Sequence, residues 1–246
     1  MTLVAAHYRF LVLEQIRIPI ALLSSALFPA LSLLFFVVPF DYSNDPAAAT
    51  TSVAQLIVFA VMTSFLFTFG VGVADDREKS WDPYLRTLPA PAWPRIAGRV
   101  LMGATFALLS VIPVTIVGAL FTSATASPLQ LLLGLVALVV AGLPFLFGGL
   151  AIGYSMPVKV ALPVTNLVFF PIAFGGGLLI PPGLFPGWLQ GVSTLLPSRG
   201  ARDLVVWAVV GTPPSVLAVI AMGVWAVATA AVAVWAYKRD QGRRFH

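Results

Sequence analysis

The sequence predicts an all-α integral membrane protein: six transmembrane helices, an N-terminal interfacial helix, and re-entrant outer helices between spans five and six. The first observation behind this is composition. The 246 residues are 59% hydrophobic and 9% charged, with a mean hydropathy of +0.98. A soluble domain is about a quarter charged, so this chain has too few polar side chains to coat a water-facing surface. The second is span length: crossing roughly 30 Å of hydrocarbon takes about 20 apolar residues in a helix. Residues 18–39, 53–74, 100–122, 129–154, 160–180 and 216–237 qualify, and none of these stretches contains Asp, Glu, Lys or Arg. The third is where the charges sit, which is between those stretches.

The chain reads as one transmembrane domain over residues 1–246, with no internal repeat between its halves. Residues 1–17 interleave Arg9, Glu14 and Arg17 with bulky apolar residues. They predict a helix lying along the membrane surface rather than a cleaved signal peptide. Span one follows, interrupted by Pro19 and Pro29, and then an outer loop with Asp41 and Asp45. Span two leads into residues 75–99, the most charged stretch of the chain. Spans three, four and five come next, with Lys159 at the start of the fifth and Pro163 and Pro171 inside it.

Residues 181–214 alternate apolar residues with Pro and Gly breakers. They are too short to span and too apolar to stand in water. Short helices dipping into the outer leaflet would satisfy that backbone and bury Leu184, Phe185, Trp188, Leu195 and Leu196. After span six comes a basic tail. With the N-terminus inside, twelve of the fourteen Lys and Arg fall on the inner side, leaving Arg199 and Arg202 outside. The positive-inside rule thus predicts both termini in the cytoplasm, as an even number of spans requires.

Several chemistries are missing. There is no cysteine, and the two histidines, His7 and His246, lie near opposite ends. No acidic or histidine cluster has metal-ligand spacing, so no metal is expected. A phosphate-binding loop needs Gly before Lys-[Ser/Thr], but Lys79-Ser80 follows Glu78. No ionisable residue lies at mid-depth, where an ion-coupled transporter keeps its coupling group. The acidic cluster Asp75, Asp76, Glu78 and Asp82 is interleaved with Arg77 and Lys79, which reads as a docking surface rather than a catalytic pair. The polar residues inside spans, such as Gln55, Thr63, Ser110, Thr165, Asn166 and Thr229, read as interhelical hydrogen-bonding groups. The chain is therefore not expected to be an enzyme, to bind a cofactor or to bind nucleic acid. Active transport would need energy from a partner; a passive channel or an assembly factor is the alternative.

Two motifs sharpen this. The stretch Asp75-Asp76-Arg77-Glu78-Lys79-Ser80-Trp81-Asp82-Pro83-Tyr84-Leu85-Arg86-Thr87-Leu88-Pro89 stands after two spans. The stretch Gly183-Leu184-Phe185-Pro186-Gly187-Trp188-Leu189-Gln190, running on to Leu196-Pro197, stands between spans five and six. In order and spacing they resemble the inner loop and the outer segment of ABC-2 type permeases, the membrane subunits of a large class of ATP-driven exporters. Where such permeases carry Gly-Thr after the glutamate, this chain has Lys79-Ser80-Trp81.

The resemblance implies a permease subunit in a bacterial inner membrane, paired with a second copy or a paralogous permease. Each would dock on a separate ATP-binding subunit that carries ATP and Mg. It implies that Glu78, Trp81, Tyr84, Leu85 and Leu88 form an ATPase-coupling helix, with Arg9, Glu14 and Arg17 beside it. It also implies an amphipathic cargo such as a drug, lipid or lipid-linked molecule. Trp188, Arg199, Arg202 and Asp203 are candidates for an outer gate, the alternative being a surface ion pair near the headgroups.

Overall fold

The computed structural model describes residues 2–17, 19–80, 91 and 93–242; side chains of 18–26, 41, 42 and 242 are outside that description. Among the described residues there are helices and no strands. They are α1 (Leu3–Ile16), α2 (Pro19–Phe36), α3 (Pro46–Glu78), α4 (Trp93–Phe121), α5 (Pro128–Ser155), α6 (Val158–Gly175), α7 (Gly187–Ser193), α8 (Pro197–Val210) and α9 (Val216–Gly242).

Local chemistry sets the helix starts. The Asp45 carboxylate accepts from Ala47 N and Ala48 N at 3.3 Å each, with Pro46 in the first turn of α3. Ser127 and Gln130 form a reciprocal capping box at α5, ahead of which Pro128 fixes the first turn. Gly211, with φ +86°, ends α8 in the left-handed region.

Five described helices are long and apolar enough to cross a membrane: α3, α4, α5, α6 and α9. In α2, the described apolar stretch is Leu27–Phe36. The long α3 is the axis of the bundle. Of its apolar window 72% is buried, against 17% for α9, so α3 is the core helix and α9 belongs to the periphery. At 1.5 Å per residue its 33 residues extend roughly 50 Å, several turns beyond the hydrocarbon. The charged residues of this helix, Asp75–Glu78, all lie in its last turn.

Midway, residues Leu66–Val71 of α3 widen into a π-helical turn. Two glycines of α5 meet it. A Cβ on Gly149 would lie 2.8 Å from the Phe65 carbonyl oxygen, and one on Gly153 would lie 2.2 Å from that of Phe69. Only glycine lets these backbones touch, the close approach that Gly-x-x-x-Gly permits in membranes.

The polar residues inside spans behave differently from the expectation. Thr63, Thr115, Asn166 and Thr229 donate to carbonyls four residues back in their own helices (Phe59, Val111, Leu162 and Trp225), and Ser110 to Ala107. A short side chain reaches its own helix backbone more easily than a neighbouring helix. Interhelical bonds remain at Gln55, which accepts from Arg202, and at Thr229, which also reaches the Pro144 carbonyl at 3.4 Å.

The bundle has a charged end and an opposite end. At the charged end, α1 packs against α4, with its His7 and Tyr8 backbone close to Gly98. No residue of α1 is buried, and Phe10, Leu13 and Ile16 face outward. At the opposite end, α8 packs against α3, α5 and α9. Ser198 Oγ donates to the Ile172 carbonyl at 2.6 Å, joining α8 to α6. Of the residues expected to be buried in the outer segment, only Phe185 is buried within the protein. Leu184, Trp188 and Leu195 point outward, and Leu196 is half-buried.

Candidate coupling and translocation site

The charged end is organised by Asp75–Glu78 at the end of α3 and by Lys79, which follows the helix. Asp76 accepts from Arg99 of α4 at 2.5 Å and from Lys79 at 2.6 Å. Lys79 also reaches Glu14 of α1 at 2.8 Å and Asp75 at 3.7 Å. Glu78 Oε1 accepts from Val158 N at 2.7 Å, so it caps the start of α6. Arg77 points the other way. It donates to the carbonyls of Gly153 (2.7 Å) and Met156 (3.1 Å) at the end of α5 and is ion-paired with Asp240 of α9. A cation there meets the orphan carbonyls and the negative end of the α5 dipole. The last turn of α3 is thus tied to five other helices.

Burial alone would pull the Lys79 ammonium down. Its hydrogen bonds to Asp76 and Glu14, and the charges of those carboxylates, outweigh burial and hold it above the ordinary lysine value. A raised folded-state value means that its contribution is present below the ordinary lysine pKa and fades only in strong alkali.

Of the expected coupling residues, Glu78 and Glu14 join this end of the bundle. Glu78 does so as a helix cap, a role the sequence reading did not give it. Arg9 and Arg17 are exposed and enter no ion pair among the described residues. Trp81, Tyr84, Leu85 and Leu88 lie outside the described residues. Arg77 and Asp240 were missed altogether. A lone arginine in an acidic run and a lone aspartate in a basic tail were the available signals.

Beside the cluster lies a cavity of about 580 Å³ bounded by α1, α2, α3, α4 and α6. Its mouth holds Glu14, Asp75, Asp76, Lys79 and Arg99. Phe28, Phe67, Phe106, Phe169 and Phe170 also line it, with Thr63, Ser64 and Asn166. The rings form a connected set: Phe67–Phe169 centroids are 5.5 Å apart and Phe169–Phe170 5.2 Å. Phe59, behind the wall, stacks between Phe28 and Phe169 at 5.7 and 5.5 Å. These are favourable edge and tilted geometries. The cavity thus combines an aromatic lining with a group of charged side chains.

The outer candidates separate. Arg199 Nε approaches both Asp203 oxygens at 3.1 and 2.9 Å, and Arg202 Nη1 reaches Oδ1 at 2.8 Å. Arg202 Nε also donates to Gln55 of α3 at 3.3 Å. Asp203 is 7% exposed, so this is an interior network and not a surface pair. Trp188 is 73% exposed and stands apart from it. Asp203→Asn keeps the shape but removes the charge that two guanidinium groups share. It should destabilise the protein by about 2 kcal/mol, read as a lower melting temperature in detergent.

The described residues thus form a helical bundle with a long core helix, a glycine-packed π turn and a charged end beside a lined cavity. The chain matches the ABC-2 type transporter family over residues 3–210 and belongs to it, the permease class of ABC transporters. It is similar to a Bacillus subtilis (strain 168) protein provisionally named transport permease YvfS, with 27% identity over 155 residues. That alignment covers 61% of this chain and 63% of the relative, less than two thirds of the relative's length. No solved structure matches the chain significantly.

Proposed function

We propose that this chain is the permease subunit of an ATP-driven exporter, which accepts an amphipathic molecule from the cytoplasm or inner leaflet and releases it outward. The observation that carries the reading is the lined cavity opening beside the charged end of α3, immediately before residues 81–90.

In this reading α2 completes a six-span layout, and the charged end faces the cytoplasm of a bacterial inner membrane with both termini, as the positive-inside distribution favours. Helix α1 lies at the inner interface, its outward Phe10, Leu13 and Ile16 suited to lipid. Helices α7 and α8 form the re-entrant outer segment, with Trp188 at headgroup level and the Arg199–Asp203–Arg202 network below it as an outer gate. Trp81, Tyr84, Leu85 and Leu88 contact a separate ATP-binding subunit that holds ATP and Mg, with Arg9 and Arg17 available on the same side. A second permease, identical or paralogous, completes the path.

The test is affinity purification of the gently solubilised chain, with identification and ATPase assay of what co-elutes. A stoichiometric ATPase that is lost on Leu85→Asp supports the proposal, because a buried carboxylate at an apolar docking contact should cost more than tenfold in affinity. A folded chain that elutes alone in several detergents returns it to a passive channel or an assembly factor.

A further inference from the structure

The polarity of the cavity mouth points to the kind of amphiphile that fits. Five titratable groups line it, three carboxylates and two cations. Both cations are already engaged. Arg99 is held by Asp76 at 2.5 Å, and Lys79 by Asp76 at 2.6 Å and Glu14 at 2.8 Å. Their side chains are only 15% and 23% exposed. The carboxylates are the outermost groups: the Asp75 side chain is 58% exposed and that of Glu14 44%, and Asp75 has only the 3.7 Å approach of Lys79. Among the described lining groups, the carboxylates of Asp75 and Glu14 are therefore more accessible than the Lys79 ammonium or the Arg99 guanidinium. The same cavity presents aromatic faces, which carry negative potential and attract cations. The volume of about 580 Å³ lies within the range of roughly 300–1,000 Å³ usual for small-molecule sites.

We infer that the cavity between α1, α3, α4 and α6 is a binding site for a small amphipathic cation, its charge at Asp75 and Glu14 and its apolar body among Phe67, Phe169 and Phe170. Its meaning as a cargo site rests on the exporter reading, but the binding itself does not. Neutral and anionic amphiphiles of the same size gain the apolar contacts alone, and an anion also meets repulsion from Asp75.

The experiment uses the full chain in nanodiscs of zwitterionic lipid, without any ATPase, so its outcome is independent of the co-purification above. Rhodamine 123, a cation, and fluorescein, an anion with the same xanthene ring system, are titrated by fluorescence polarisation against empty nanodiscs. Rhodamine should bind at least about tenfold more tightly than fluorescein. Asp75→Asn should weaken rhodamine by roughly fivefold, as loss of one partly screened charge at contact predicts, while Asp75→Glu restores it. Phe170→Ala should weaken rhodamine by a similar factor, and added salt should narrow the gap between the two dyes. Equal binding of the dyes, or rhodamine affinity unchanged in a monodisperse Asp75→Asn protein, overturns the assignment.

Discussion

Replacing Arg77 by Leu should cost about 3–5 kcal/mol and abolish transport, because it removes the guanidinium that joins Asp240 of α9 to two carbonyls at the end of α5. The Arg77 side chain is 16% exposed and Asp240 is 5% exposed. Without the guanidinium, the buried Asp240 loses an ion-pair partner, and the Gly153 and Met156 carbonyls lose that donor. Arg77→Lys should recover only part, since a single ammonium cannot span both helices as a planar fork does. The informative variant is Arg77→Met combined with Asp240→Leu. Replacing both partners by apolar groups removes the buried carboxylate together with its guanidinium, so the double variant should be more stable than Arg77→Leu alone. Thermal unfolding of the purified proteins decides the matter. If the single and double variants melt together, the pair is not what holds α9 to α3.

Gly153→Val should prevent the bundle from assembling. Its Cβ would sit 2.2 Å from the Phe69 carbonyl oxygen and 2.8 Å from Val73 Cβ. The first of these is backbone in the most buried helix and cannot rotate away. Overpacking usually costs about 1–3 kcal/mol where side chains can shift; here the whole contact between α3 and α5 must open, so the cost should exceed about 3 kcal/mol. Gly183→Ala and Gly191→Ala, whose added methyls would meet nothing within 4 Å, should change stability by less than about 0.5 kcal/mol. The readout is the yield of monodisperse protein from membranes. Equal yields for Gly153→Val and the two controls would refute the close-packing account.

Much of the fold was legible because lipid imposes a simple rule: long uncharged apolar runs become helices. Five of the six spans read from the sequence fall on helices long and apolar enough to cross a membrane, with ends displaced by up to about seven residues, most of all where α3 and α4 begin. There Pro46 and the capping Asp45 start α3 early, and α4 begins at Trp93, inside the stretch read as loop. Caps and prolines were visible, but their pull on the boundaries was not weighed. The candidate site was legible only in part. Glu78 and Glu14 were picked out for docking, yet what Glu78 does within the chain depends on α6 starting beside it, a fact of packing that its own neighbours in sequence do not carry. Arg77 was passed over because one arginine among acids looks like a solvated ion pair; its partner is 163 positions away. The hydroxyls of the spans were misjudged for the opposite reason, since their nearest acceptors are local. The π turn left no periodicity signal, and the glycines facing it could have been noticed through Gly149-x-x-x-Gly153.

That separation of 163 positions also fixes an order of events during synthesis. At about 5–20 residues per second, Asp240 leaves the ribosome roughly ten to thirty seconds after Arg77. Their ion pair cannot close until the last helix has been inserted. By then the glycine contact between α3 and α5 can already be made, since all of its residues precede residue 156.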